Sequence, residues 1–152
     1  MEPLFEIASC SEAETEAAGN RLAQKIEKDN APLTFIAMYG DLGAGKTAFV
    51  RGLASYLTPD SAVSSPTYTI INIYSSDKYI LYHLDLYRIT GEDDLYSVGF
   101  DELFNIDSKN IVIVAEWCEN IPYALPDLYI RVMITKNDEI GRHIRAETIN
   151  QG

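Results

Sequence analysis

The chain has 152 residues, 47% of them hydrophobic, which suits one domain over residues 1–152 with a real core and argues against disorder. Its longest apolar runs, such as Ile111-Val112-Ile113-Val114-Ala115, are strand-length and far short of a membrane span. Twelve Lys and Arg against 23 Asp and Glu give a formal charge of −11, which argues against autonomous binding to DNA or RNA, because that affinity rests largely on basic side chains meeting phosphates.

Met1-Glu2-Pro3 is acidic and no long apolar region follows, so the start does not read as a secretory signal and the expected location is cytoplasmic. Residues 4–9 (LFEIAS) predict a short strand. Ser11-Glu12-Ala13-Glu14 fits a capping box, a hydroxyl at the N-cap with a carboxylate three residues on, and opens an Ala- and Glu-rich helix to about residue 29. Asn30-Ala31-Pro32 breaks it. Residues 33–39 (LTFIAMY) are a near-continuous apolar strand, as in the buried middle of a sheet. A glycine-rich turn follows, then a helix from Lys46 to about residue 57, ended by Thr58-Pro59-Asp60. After Pro66, TYTIINIY and YILYHLDLYRI flank the turn Ser75-Ser76-Asp77-Lys78 and predict a β-hairpin. Residues 91–104 (GEDDLYSVGFDELF) are acidic and helix-like, with a break near Gly99. NIVIVAEW is a second buried strand, and residues 127–136 and 140–149 form a last pair around Asn137-Asp138-Glu139. Cys10 and Cys118 are far apart with no CxxC pair, and both are expected to be buried free thiols. About seven strands and three or four helices, with hairpins mixed into a strand–loop–helix unit, imply a three-layer α/β fold with a mixed sheet.

The glycine-rich turn carries the chemistry. Gly40-Asp41-Leu42-Gly43-Ala44-Gly45-Lys46-Thr47 fits the phosphate-binding P-loop pattern without mismatch, between a hydrophobic strand and a helix, which is the context that pattern requires. The glycines let the backbone turn tightly and aim its N–H groups at phosphates, and the helix adds its positive N-terminal end. Asp41, Leu42, Gly43, Ala44 and Gly45 would wrap the phosphates, Lys46 would reach the β and γ groups, and Thr47 would offer its hydroxyl to Mg²⁺. Magnesium needs further oxygens, and Glu116 at the end of a buried strand is a Walker-B-like candidate, acting directly or through water. Alternation along HLDLY puts His83, Asp85 and Tyr87 on one face, which fits an active-site wall better than a packed core. Asp85 could position the attacking water or bind a magnesium-bound water. No third ligand accompanies His83 and Asp85, so the pair does not make a zinc site. The hydroxyls of Ser64, Ser65, Thr67 and Thr69 lie where P-loop switch proteins sense a γ-phosphate, although taken alone the segment reads as an ordinary Ser/Pro turn. A lone Trp117 most often packs a core or an interface.

The order GDLGAGKT, SSPTYT, HLDLYR, VAEW resembles the TsaE (YjeE) family over nearly the whole chain, in length, motif order and spacing. The P-loop alone would not select this family; the combination does. The resemblance implies a P-loop α/β ATPase that binds ATP with Mg²⁺ and hydrolyses it slowly alone. It also implies stimulation by the TsaB–TsaD heterodimer, which threonylcarbamoylates the tRNA adenosine beside the anticodon. By motif, Thr47 and Glu116 would hold Mg²⁺, Gly43, Gly45 and Lys46 would hold phosphate, and Asp85 would be the acid needed for hydrolysis. Trp117 would be a functional aromatic near the site, and Thr67 part of the γ-phosphate segment. The resemblance also implies that the base lies near the start of the first helix and the C-terminal hairpin, which would point to Ser11 and Arg142. A charge of −11 fits a protein that meets tRNA only through partners.

Two other readings compete. A small-molecule kinase would need an acceptor site and usually an Arg-rich lid, and no such segment appears in the sequence. A GTP switch would carry a base-reading NKxD motif, which is also absent.

Overall fold

Seven strands form one sheet in the order β1-β7-β6-β2-β5-β4-β3. The computed structural model describes residues 3–40, 45–63, 71–86, 89, 91–97, 99–105, 109–139 and 141–151. In chain order the elements are β1 (Phe5–Ser9), α1 (Glu12–Asp29), β2 (Leu33–Tyr39), α2 (Lys46–Leu57), β3 (Ile71–Ser75) and β4 (Tyr79–Asp85). There follow α3 (Glu92–Ser97), a 3₁₀ turn (Phe100–Phe104), β5 (Asn110–Glu116), a second 3₁₀ turn (Cys118–Asn120), β6 (Leu128–Lys136) and β7 (Arg142–Asn150).

The middle of the sheet, β6-β2-β5-β4, is parallel, and the β3–β4, β6–β7 and β1–β7 pairs are antiparallel. The central strands are covered on both faces, which is why β2 and β5 read as unbroken apolar runs. On one face α1 and α2 bury Leu22, Ile26, Phe49 and Leu53 against Ile36, Met38, Val112 and Val114. On the other, Phe35, Ile111 and Ile113 meet Phe100, Leu103 and Tyr129, and Phe35 stacks on Phe104 with centroids 5.8 Å apart. Each such buried apolar side chain contributes about 1.5–3 kcal/mol.

Two glycines set the separation of α1 and α2. A Cβ at Gly52 would fall 1.9 Å from the Glu16 carbonyl oxygen, and one at Gly19 would fall 2.0 Å from that of Phe49. The two backbones therefore touch, and Arg51 clasps the pair by donating to Glu16 and Glu12.

The helix signals act as expected. Ser11 Oγ accepts from the Glu14 amide at 3.1 Å, while the Glu14 carboxylate accepts from the Cys10 amide at 2.9 Å, one residue earlier than the standard box. Asn30 ends α1 in the left-handed region at φ 50°. Gly99, at φ +79°, breaks the acidic segment into α3 and the 3₁₀ turn.

Three expectations need correction. The return strand of the hairpin ends at Asp85 rather than running on to residue 89. The Leu86 amide still donates to the Glu116 carbonyl, but its own carbonyl is taken by the Ile89 amide and the Asn120 side chain, so the ladder stops. Cys10 is exposed, not buried, because it sits at the β1–α1 junction just ahead of the N-cap. His83 belongs to the interior: it is fully buried, and so are Leu84 and Leu86 on the opposite side of the strand. The early part of the first hairpin strand (residues 67–70), Tyr87 and Ile140 lie outside the described residues.

Candidate active site

The parallel register brings the two candidate acids together. Asp85 pairs with Glu116 as the last residues of β4 and β5, on the sheet face that carries α1 and α2. In an open parallel sheet, ligands bind beyond the carboxyl ends of the strands. The cleft there has a volume of about 630 Å³. Its walls are Ser11 and Thr15 of the α1 start, Gly45, Lys46 and Thr47 of the α2 start, Asp85, Glu116, Trp117, and Glu139 with Arg142 from the last hairpin.

Gly45 caps α2 at φ +101°, a conformation that disfavours any side chain. It brings the start of α2 to the cleft, and the N-terminal end of a helix stabilises an anion. Lys46 is only 5% exposed. Its ammonium donates to the Gly40 carbonyl at 2.8 Å and lies 3.7 Å above the Trp117 ring, held by the negative face of the indole. Trp117 itself adopts φ +64°, unusual for a bulky residue and costing about 1–3 kcal/mol. The turn behind it supplies the constraint: the Cys118 thiol donates to the Ala115 carbonyl at 3.1 Å, and the Asn120 amide donates to the Trp117 carbonyl at 3.0 Å. Burial pushes the Cys118 thiol up to about 12, so it stays protonated. Glu119 of the same turn accepts from the Gly40 amide at 3.3 Å, tying the turn to the beginning of the P-loop.

Glu116 is 4% exposed, and one carboxylate oxygen, Oε2, lies 2.5 Å from His83 Nε2. Arg142 donates to the carbonyls of Asp138, Glu139 and Gly141, which fixes the hairpin tip at the mouth of the cleft.

Of the residues singled out in the sequence, Ser11, Gly45, Lys46, Thr47, Asp85, Glu116, Trp117 and Arg142 all line this one cleft. Asp41, Leu42, Gly43, Ala44 and Thr67 lie outside the described residues. Thr15, Glu119 and the pairing of His83 with Glu116 were not anticipated. Thr15 and Glu119 carry no local motif, and the His83–Glu116 contact depends on the register of two strands far apart in sequence.

The donors suit magnesium. Thr47, Asp85 and Glu116 offer hard oxygens to one space. Among the described residues no group of three or more His, Cys, Asp or Glu could hold a metal by itself. Two carboxylates and one hydroxyl fit Mg²⁺, which is held by one or two carboxylates together with phosphates and water.

The model of the threonylcarbamoyl adenosine biosynthesis protein TsaE matches residues 9–144. The chain belongs to the TsaE family. Curated members named tRNA threonylcarbamoyladenosine biosynthesis protein TsaE are close in sequence. The Nostoc sp. protein is 39% identical over 76% of this chain and 70% of its own length. That of Bacillus subtilis is 37% identical over 74% and 68%, and that of Rickettsia conorii is 33% identical over 87% and 71%. The crystal structure of Bacillus subtilis YdiB superposes with a TM-score of 0.68 at 29% identity, covering 95% of this chain and 84% of that one. The TsaE family takes part in tRNA threonylcarbamoyladenosine biosynthesis. No described helix is long and apolar enough to cross a membrane.

Proposed function

We propose that the protein is a Mg²⁺-dependent ATPase that hydrolyses ATP weakly alone and is stimulated by the TsaB–TsaD heterodimer, in support of threonylcarbamoylation of the tRNA adenosine beside the anticodon. One observation carries this reading: Asp85 and Glu116 end adjacent parallel strands in register and share a cleft with Lys46 and Thr47 of the P-loop helix.

The roles follow from chemistry and position. The α2 N-terminus binds the phosphates, and Lys46 leaves Gly40 and Trp117 to neutralise the β and γ groups. Thr47 and Glu116 would hold Mg²⁺, which supplies positive charge at the phosphate oxygens while the terminal phosphoryl is transferred. Asp85 is less enclosed than Glu116 and orients the attacking water or takes its proton. Trp117 closes the side of the cleft next to Lys46. Ser11 and Arg142, which line the same cleft, would contact the base.

The acidic surface supports action on tRNA through protein partners rather than directly, in the cytoplasm. The test is ATP hydrolysis with and without purified TsaB–TsaD. Asp85→Ala is expected to keep ATP affinity and lose about 10²- to 10⁴-fold in stimulated rate. Full stimulated hydrolysis by that variant overturns the assignment of Asp85; no stimulation of the unaltered protein overturns the partner reading.

A further inference from the structure

We infer that His83 is a positioning residue that holds Glu116 as a one-oxygen ligand and so sets the preference of the site for magnesium over calcium. The inference rests on the reading of Glu116 as a magnesium ligand given above.

His83 has no solvent exposure, and its Nε2 lies 2.5 Å from Glu116 Oε2. Its other ring nitrogen, Nδ1, is buried without a hydrogen-bond partner among the described residues. A buried polar atom left unpaired is costly, and an apolar side chain of similar size would fill the same slot without that cost. What the imidazole adds is the single Nε2–H bond to Glu116. The strand register explains the reach. His83 pairs with Val114 and Asp85 with Glu116, so the ring of His83 extends diagonally to a residue two positions further along β5, beneath the floor of the cleft.

The consequence is chemical. With Oε2 engaged by His83, Oε1 has no hydrogen-bond partner among the described residues and is the oxygen left for the cleft. Magnesium takes a compact octahedral shell and accepts one oxygen from such a carboxylate, whereas calcium, larger and less strict, readily takes both. A hydrogen bond that occupies one oxygen and fixes the carboxylate plane therefore favours the smaller ion. Groups that touch and orient a metal ligand in this way are commonly worth about 10- to 100-fold in metal affinity.

The experiment compares the full chain with His83→Phe, which fills the ring-shaped slot without a donor, and His83→Gln, whose terminal amide can donate to Glu116. Calorimetry with the non-hydrolysable analogue AMPPNP, in EDTA, MgCl₂ and CaCl₂, gives the affinity gained from each ion, and thermal melting monitors the fold. His83→Phe is expected to match the unaltered protein in EDTA, to lose about tenfold or more of the magnesium gain, and to retain the calcium gain. His83→Gln restores most of the magnesium gain. An unchanged magnesium-to-calcium ratio in His83→Phe, or equal losses in Phe and Gln, overturns the inference. Should His83→Phe fold poorly, His83→Leu provides the same donor-free comparison. Glu116→Gln separates the two levels. If it leaves the magnesium gain intact, the reading of Glu116 fails; if it removes the gain and His83→Phe does not, only the role of His83 fails.

Discussion

Substituting Gly52 by alanine adds one methyl group where α1 and α2 touch. The added carbon would lie 1.9 Å from the Glu16 carbonyl oxygen, 2.7 Å from the Glu16 carbonyl carbon and 3.0 Å from the Asn20 amide nitrogen. Cβ atoms keep at least 3.0 Å from their neighbours, so the helices must separate locally by 1.1 Å (3.0 − 1.9). The obstacle is backbone, which cannot rotate aside, so the strain belongs near the upper end of the overpacking range, about 3 kcal/mol. Alanine returns up to about 1 kcal/mol through its better helix propensity. The net expectation is a loss of about 2 kcal/mol, or about 4–8 °C in melting temperature for a chain of this length. Urea denaturation followed by circular dichroism measures it. Gly91→Ala is the control, because a Cβ there meets nothing within 4 Å, and it should stay within about 0.5 kcal/mol of the parent. A Gly52→Ala protein as stable as the parent would refute the claim that the two backbones are in contact. Because Thr15 of α1 and its N-cap Ser11 line one cleft with Lys46 of α2 and its N-cap Gly45, weakened ATP affinity should accompany the loss.

A thiol reagent at pH 8 should label one cysteine per native chain, Cys10, and two after denaturation, since burial holds the Cys118 thiol near 12; rapid labelling of both in the native protein would contradict this. Hydrogen bonds from Arg131, and then its charge with that of Arg145, hold the Glu147 carboxyl below its ordinary value of 4.5. Its stabilising contribution is therefore complete above pH 4.5 and is lost as pH falls through the lowered folded value. Glu147→Gln should thus destabilise at pH 7 and converge on the parent at acid pH; an equal difference in urea midpoint at both would speak against the ion pair. Lys46→Ala should weaken ATP binding outright, and unchanged affinity by calorimetry would remove the phosphate role of Lys46. Trp117 is the only tryptophan and has Lys46 3.7 Å over its ring, so ATP should change its emission in the parent and not in Lys46→Ala.

Local chemistry made much of this protein readable before any coordinates. The capping box at Ser11 and Glu14, the helix stop at Asn30, the buried runs of β2 and β5 and the break at Gly99 each act within a few residues, and each appears where the pattern put it. The P-loop motif was legible for the same reason: Gly45, Lys46 and Thr47 are consecutive and line one cleft. Asp85 and Glu116 could be nominated as acids at strand ends. Period-two alternation placed His83 and Asp85 on one face, but it could not say that this face is covered at His83 and open to the cleft at Asp85.

The amino-acid sequence by itself determined the elements, the phosphate loop and the family, because those depend on spacing along the chain. Only the tertiary structure decided that Asp85 and Glu116 stand side by side, that His83 occupies one oxygen of Glu116, that Lys46 rests on Trp117, and that two glycines let α1 and α2 meet backbone to backbone. Each of these depends on the register and approach of segments tens of residues apart. No local pattern encodes that register; it is set by how the two apolar cores close around the sheet.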